Sequence, residues 1–414
     1  MHSRLFAFAF VASIAATTYA GPITPPPGPV ASTPGPEPRI AINATNTPGD
    51  ADSLFKITQP GSYYLTGNIT GVAGKHGIEI ASSGVTLDLH GFDLVGVPAM
   101  GSFDGVSIGV AGMTNIAVVN GSTRAWGRFG VNLGTLGASN CRITGVLAVG
   151  NAGGGISAGS NSTILNCSAQ SNIGVGISTS NGCTVAGCSV SQNSADGIAT
   201  NSRSTITACV AWSNAGNGIN ASGGCTVADC SATQNSANGI LVGSGGSVLN
   251  CSAQSNGGNG IAGSSACLIT KCSVSLNLGN SGITVGTGST VTDCAASFNT
   301  RDGILCSSAC IVRDNTCALN GDAAGIGAGI HATGGDNRIE SNNCIGADRG
   351  IDVDSAGNVI LRNSCSGNTT NWDIVANNVC GPIIDLTALA SAAVSGNSAP
   401  DSTGSTHPNA NFTY

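Results

Sequence analysis

His331 and Asp352 stand 21 residues apart, with Arg349 just before the second and Asp302 and Asp354 close by in sequence. A histidine beside a carboxylate can take a proton as a general base, with the carboxylate orienting the ring. An arginine offers a planar fork of donors to an acidic sugar. The residues to test for catalysis are therefore His331, Asp352 and Arg349, with Asp302 and Asp354 as substrate contacts. Trp126, between Arg124 and Arg128 in "TRAWGRFG", offers an aromatic face on which a sugar could stack, or else a packed turn.

Groups 21 residues apart meet only if the chain returns on itself with that period. It does. Gly-Ile occurs at 155–156, 176–177, 197–198, 218–219, 239–240 and 260–261, and again at 282–283, 303–304, 329–330 and 350–351. A fixed period of this length marks a solenoid. The unit "GINASGGCTVADCSATQNSAN" (218–238) carries short apolar alternations broken by Gly, Asn and Ser. That is strand periodicity with turn punctuation. Alternation turns Cys225 and Val227 inward and Thr226 outward, and likewise Cys230 and Ala232 inward. One unit cannot bury its inner face, but stacked units can. The expected fold is all-β, a right-handed parallel β-helix with coils of about 21 residues and three short strands each.

In this fold the residue after the Gly-Ile isoleucine points outward. Down that column run Glu79, Ser107, Asn132, Ser157, Ser178, Ala199, Asn220, Leu241, Ala262, Thr284, Leu305, His331 and Asp352. The middle is bland and the ionisable groups gather at the ends. Charged ends also serve a plainer purpose, keeping the termini of a solenoid soluble.

The repeated cysteines fit the same frame. Cys167, Cys188, Cys209, Cys230, Cys251 and Cys272 are spaced by 21 and should stack as one internal column, with Cys183, Cys225 and Cys267 as a sparser second one. Buried cysteine behaves as a small hydrophobe. The Cys-x4-Cys spacing draws thiols out along an axis instead of converging them, so no metal is expected. Packed free thiols are the expectation. Cys306, Cys310 and Cys317 depart from the spacing and are where a local bridge would form, if anywhere.

Charged residues make up 8% of the 414, and no Lys/Arg run exists, so nucleic acid is not an expected partner. His2 and Arg4, the apolar run 5–16 and "TYA" read as a signal peptide (1–20) cut after Ala20, which implies a secreted or extracytoplasmic protein with no membrane span after cleavage. A Pro-rich linker follows (21–38), then the β-helix (39–380) and a C-terminal tail or cap (381–414).

The "NGI…CTV…CSA…N" units over residues 130 to 365 resemble the β-helix repeats of the pectate-lyase-like superfamily. The opening "ITQPGSYYLTGNITG…GIEI…GVTLDLHGFDLVG" (57–96) and the closing "DRGIDVDSAGNVILRN…NWDIVANN" (348–378) resemble the end coils of secreted bacterial β-helix proteins. The resemblance implies the fold over nearly the whole mature chain, but fold alone does not choose a function. It includes lyases, hydrolases, epimerases and non-enzymatic scaffolds. The hydrolase elements Asn-Thr-Asp and Gly-His-Gly, the lyase Trp-Ile-Asp-His and the epimerase Asp-Pro-His-Asp are absent from the sequence. Two readings stand. The first is a non-catalytic scaffold that binds a polysaccharide or cell-surface glycan. The second is a carbohydrate-active enzyme on an acidic polysaccharide. Neither requires a cofactor.

Overall fold

The computed structural model describes residues 39–321, 325–385 and 407–414. The signal peptide and linker lie outside the described residues, as does most of the C-terminal tail. Residues 39–414 form one unit.

Fifteen short parallel strands, from Ser53–Ile57 to Thr370–Ile374, stack into one sheet along the Gly-Ile face. The other thirty strands form a bent sheet, two per coil. The two long strands Ala117–Arg124 and Arg142–Val149 each run through the bend. In the unit 218–238 the strands are Ile219–Ala221, Thr226–Ala228 and Ser231–Thr233, so each cysteine sits one residue ahead of its strand. The expected alternation holds: Val227 and Ala232 are fully buried, and Thr226 faces out. Among the described residues the only helical turn is the 3₁₀ turn Thr135–Gly137.

Both cysteine columns form, and each extends beyond the expected members. The first runs on to Cys294 and then changes chemistry: the Cys294 amide donates to Asn315 Oδ1 (2.9 Å), and Asn315, Asn342 and Asn363 continue the column as side-chain amides. In the second column serine fills the intervening coils, except for Gly246 between Cys225 and Cys267. The Cys141 and Cys183 amides donate to Ser162 and Ser204 Oγ, and the amides of Ser162 and Ser204 donate to Cys183 and Cys225 Sγ. All seventeen cysteines are free. Cys306, Cys310 and Cys317, which depart from the 21-residue spacing, nevertheless keep the register at other slots. Cys310 continues the second column through Ser289. Cys317 pairs with Cys344 and Cys365 where earlier coils hold Ala or Val. Cys306 takes the slot of Val285 and Ala332.

Two predictions arise from these columns. Cys230 Sγ already donates to the Ala228 carbonyl (3.1 Å), so a serine hydroxyl inherits a partner. Cys230→Ser should therefore cost only about 1 kcal/mol, which equilibrium denaturation would read. A loss several times larger would mean that the column depends on thiol packing. Thiol titration should find one reactive cysteine in the native protein, the exposed Cys380, and seventeen after unreduced denaturation.

A third internal column was not anticipated. Asn151, Asn172, Asn193, Asn214, Asn235, Asn256, Asn277, Asn299 and Asn320 are all essentially inaccessible to solvent. Each Nδ2 except that of Asn320 donates to the Oδ1 one coil on, at 2.9–3.0 Å, and Asn320 Nδ2 ends the ladder on the Ala296 carbonyl. The Oδ1 also accepts the preceding asparagine's backbone N–H, as Asn235 does from Asn214 (3.0 Å). The ladder explains the glycine of Gly-Ile. A Cβ on Gly218 would lie 2.6 Å from Asn235 Nδ2 and 2.7 Å from the Gly239 carbonyl oxygen. Glycine there is a matter of close approach, and it leaves room for the amide that closes the turn.

Candidate functional site

The outward column on the Gly-Ile face is the predicted one, and it continues at both ends. Glu79 is preceded by Lys56, and Asp352 is followed by Asp373. The strand Ala328–Ala332 presents His331 against Asp352 of Arg349–Val353 in direct register.

At this end the five predicted groups come together, though not in the expected pairings. His331 Nε2 lies 3.0 Å from Asp354 Oδ2, and Nδ1 lies 3.5 Å from Asp302 Oδ2. Asp352 Oδ2 is farther from Nε2, at 3.8 Å. Asp352 instead accepts from Arg349 Nη1 (3.0 Å), whose Nε is 3.0 Å from Asp373 Oδ2. Asp302 is 2% exposed and accepts from the Ala328 amide and from Ser281 Oγ. It therefore holds His331 and does not face a ligand, which corrects its expected role as a substrate contact. Asp354 is the exposed carboxylate of the set.

Charge sets the protonation. The hydrogen bond that His331 donates to Asp302, reinforced by Asp354 and by the charge of Asp352, raises His331 to about 9 against the cost of its burial. At neutral pH the ring is an imidazolium, with both nitrogens donating. It can give up a proton or stabilise an anion, and it has a lone pair for base chemistry only near pH 9 and above. Burial also raises Asp352, opposed by the charges of His331 and Arg349, so this carboxylate is more basic than usual. His331, Asp352 and Asp354 bring ligand atoms within 4.8 Å of one another, as do Asp50, Asp52 and Glu79, and either trio could meet on one cation.

The opposite end is a self-contained ion cluster. Lys56 Nζ lies 2.7 Å from both Asp50 Oδ2 and Glu79 Oε1. Asp104 is fully buried and takes Arg128 through two bonds (2.9 and 2.6 Å), with further bonds from the Phe129 amide and Asn132 Nδ2. Trp126 is corrected outright as a sugar platform. It is 1% exposed, its indole Nε1–H donates to the Leu94 carbonyl (3.0 Å), and its ring lies against Gly77 and Gly105. The side chain packs the core of an irregular coil.

Between the ends lies a shallow groove of about 320 Å³ that crosses five coils from Gly134 to Ser222. Hydroxyls line it at Ser157, Ser178, Thr179, Ser180 and Thr200, and amides at Asn201 and Asn220. Thr179 is 7% exposed and its Oγ1 has no hydrogen-bond partner. That hydroxyl occupies the inward slot of its strand, in register with Ala158 and Thr200, so the groups that face the groove are the outward Ser157, Ser178 and Asn220. No motif marks this groove, because its residues are the blandest of the column. Asp373 was hidden because Asn-Trp replaces Gly-Ile in the last coil.

A solenoid of parallel strands with an open polar face and charged ends defines a class: the chain is a right-handed parallel β-helix repeat protein. A family model described as a right handed beta helix region matches residues 61–256. Comparison with curated proteins gives no match. Among solved structures, the chain is similar to the A-module of Azotobacter vinelandii mannuronan C-5 epimerase AlgE6, at 17% identity and a TM-score of 0.47, over 77% of this chain and 89% of that one. It is similar to the AlgE4 A-module at 16% identity and a TM-score of 0.46, over 78% and 91%. A tailspike protein of E. coli bacteriophage HK620, solved with a pentasaccharide, gives 13% identity and a TM-score of 0.44, over 74% and 69%. These likenesses concern the fold. Among the described residues no helix is long and apolar enough to cross a membrane.

Proposed function

We propose that this chain is a secreted, non-catalytic scaffold that holds a polysaccharide or cell-surface glycan along its Gly-Ile face. The observation that carries the reading is the groove, where outward hydroxyls and amides recur from coil to coil at Ser157, Ser178 and Asn220. Repeated polar groups at strand spacing suit a ligand that is itself a repeat of hydroxyl-bearing units. A glycan array probed with the purified chain tests this: binding without any change in the glycan supports it, and an array without signal overturns it. Export is tested separately. The mature protein should begin at Gly21, and an intact N-terminus on the exported chain would remove the signal-peptide assignment.

One observation favours a second reading, an enzyme acting at the C-terminal end. His331 and Asp352 are both displaced toward higher proton affinity, and displaced pairs of this kind cluster at catalytic sites. The roles follow from the protonation states. His331 would act as proton donor near neutral pH and as base only toward pH 9, with Asp352 as its neighbour. Arg349 would meet a substrate carboxylate by giving up Asp352 or Asp373. Reducing-end and unsaturated-product assays on polysaccharides decide this. Activity that survives both His331→Ala and Asp352→Asn would remove the assignment.

A further inference from the structure

We infer that the ligand of the central groove is an uncharged glycan and not a polyuronate or sulfated polymer. The inference rests on the binding reading above and names the chemistry of its ligand. No ionisable side chain lines the groove. The nearest carboxylate, Asp196, is spent inside the protein. Its Oδ1 accepts the backbone N–H (2.6 Å) and Nδ2 (3.0 Å) of Asn217, and its Oδ2 accepts Asn220 Nδ2 (2.8 Å). That last bond fixes the Asn220 amide in the groove lining and leaves its carbonyl oxygen as an acceptor for a donor hydroxyl. The outward hydroxyls of Ser157 and Ser178 can both donate and accept. Sugar hydroxyls also do both, so they match this lining. A carboxylate or sulfate only accepts, and it would be desolvated there without a counter-charge.

Polyanion recognition needs cations that are free to receive it. Those at the ends of the face are already engaged: Lys56 with Asp50 and Glu79, Arg128 with Asp104, and Arg349 with Asp352 and Asp373. His331 is held among Asp302, Asp352 and Asp354, so the C-terminal end carries more carboxylates than cations. Two exposed arginines flank the face. Arg203 follows the groove residue Asn201, and its Cγ lies 3.9 Å from the Cβ position of Gly224, outside the groove lining. Arg301 lies several coils away, beside Asp302.

Titration calorimetry of the full mature chain tests the inference, with neutral hexose oligosaccharides in one arm and polyuronate oligosaccharides in the other, each at low and high salt. The expected result is binding in the neutral arm only, with an affinity that salt leaves unchanged. Ser178→Ala removes one outward hydroxyl of the groove lining. It should leave the melting temperature unchanged while weakening binding about tenfold, the equivalent of one neutral hydrogen bond. Arg203→Ala should leave binding unchanged. Binding confined to uronates and falling with salt, or lost on Arg203→Ala, would overturn the inference and leave the scaffold reading standing. Silence in both arms and on the array would overturn the scaffold reading itself.

Discussion

Asn214→Leu should destabilise the coil by about 3–5 kcal/mol, the largest effect expected from any single substitution in the repeat. Asn214 Oδ1 accepts both the backbone N–H (3.1 Å) and Nδ2 (2.9 Å) of Asn193. Its own Nδ2 donates to Asn235 Oδ1 (3.0 Å) and to the Val190 carbonyl (3.2 Å). Leucine has similar bulk, so it closes the site to water while removing every one of these partners. Two buried donors of Asn193 are then stranded, at about 1–3 kcal/mol each, and the ladder is cut in the middle. Because each coil contacts only its neighbours, the damage should be local before it is global. Hydrogen exchange should show lost amide protection in the coils around Asn193 and Asn235, with the end coils intact. Asn214→Ala should be milder, since a water can enter. A leucine variant that melts with the wild type, with its exchange pattern unchanged, would mean that the ladder is a consequence of stacking and not a support for it.

The sequence-to-structure comparison turns on that same ladder. The period of 21, the Gly-Ile strand and the inward cysteines were legible because alternation and repetition survive in the letters themselves. The outward column could be named residue by residue before the fold was known, including the His331–Asp352 register. The asparagines were equally regular, yet they read as turn formers, because asparagine's local preference is for turns and left-handed backbone. Only stacking reveals that their amides point in and bond to their own copies. The left-handed positions show the converse. Leu276, Phe298 and Leu319 adopt φ of 55–58°, where propensity argues against them. The coil geometry and bonds such as Phe298 N–H to the Ala318 carbonyl (3.1 Å) hold them there.

At the candidate site, spacing was legible and burial was not. Asp302 and Trp126 have the right chemistry for ligand contact, but both are nine-tenths or more buried and hydrogen-bonded within the protein. Sequence places a residue on a face, and packing decides whether anything can reach it.

The final prediction concerns pH. His331 has a folded-state pKa of about 9, against about 6.5 for an unperturbed histidine. The folded protein therefore holds this proton more tightly than the unfolded chain does. The stabilisation is full below about pH 6.5, shrinks as pH rises, and is gone above about pH 9. The side chain is 16% exposed, so screening by water leaves most of the effect, on the order of 3 kcal/mol across that window. The wild type alone cannot display it cleanly. Burial raises many of the thiols, among them Cys141, Cys267 and Cys380, so unfolded cysteines ionise first and also drain stability from about pH 8.5 upward. The difference between wild type and His331→Gln removes that shared term. This difference should favour the wild type at pH 6 and narrow steadily toward pH 9. Glutamine cannot carry the charge that Asp302 and Asp354 meet, so its own curve should lack the step. Asp302→Asn should flatten the wild-type curve in the same way, because Asp302 is the first cause of the shift. Parallel curves for wild type and His331→Gln from pH 6 to pH 9 would show that the imidazole is not held charged by these carboxylates. The proton-donor role at this end of the face would fall with it.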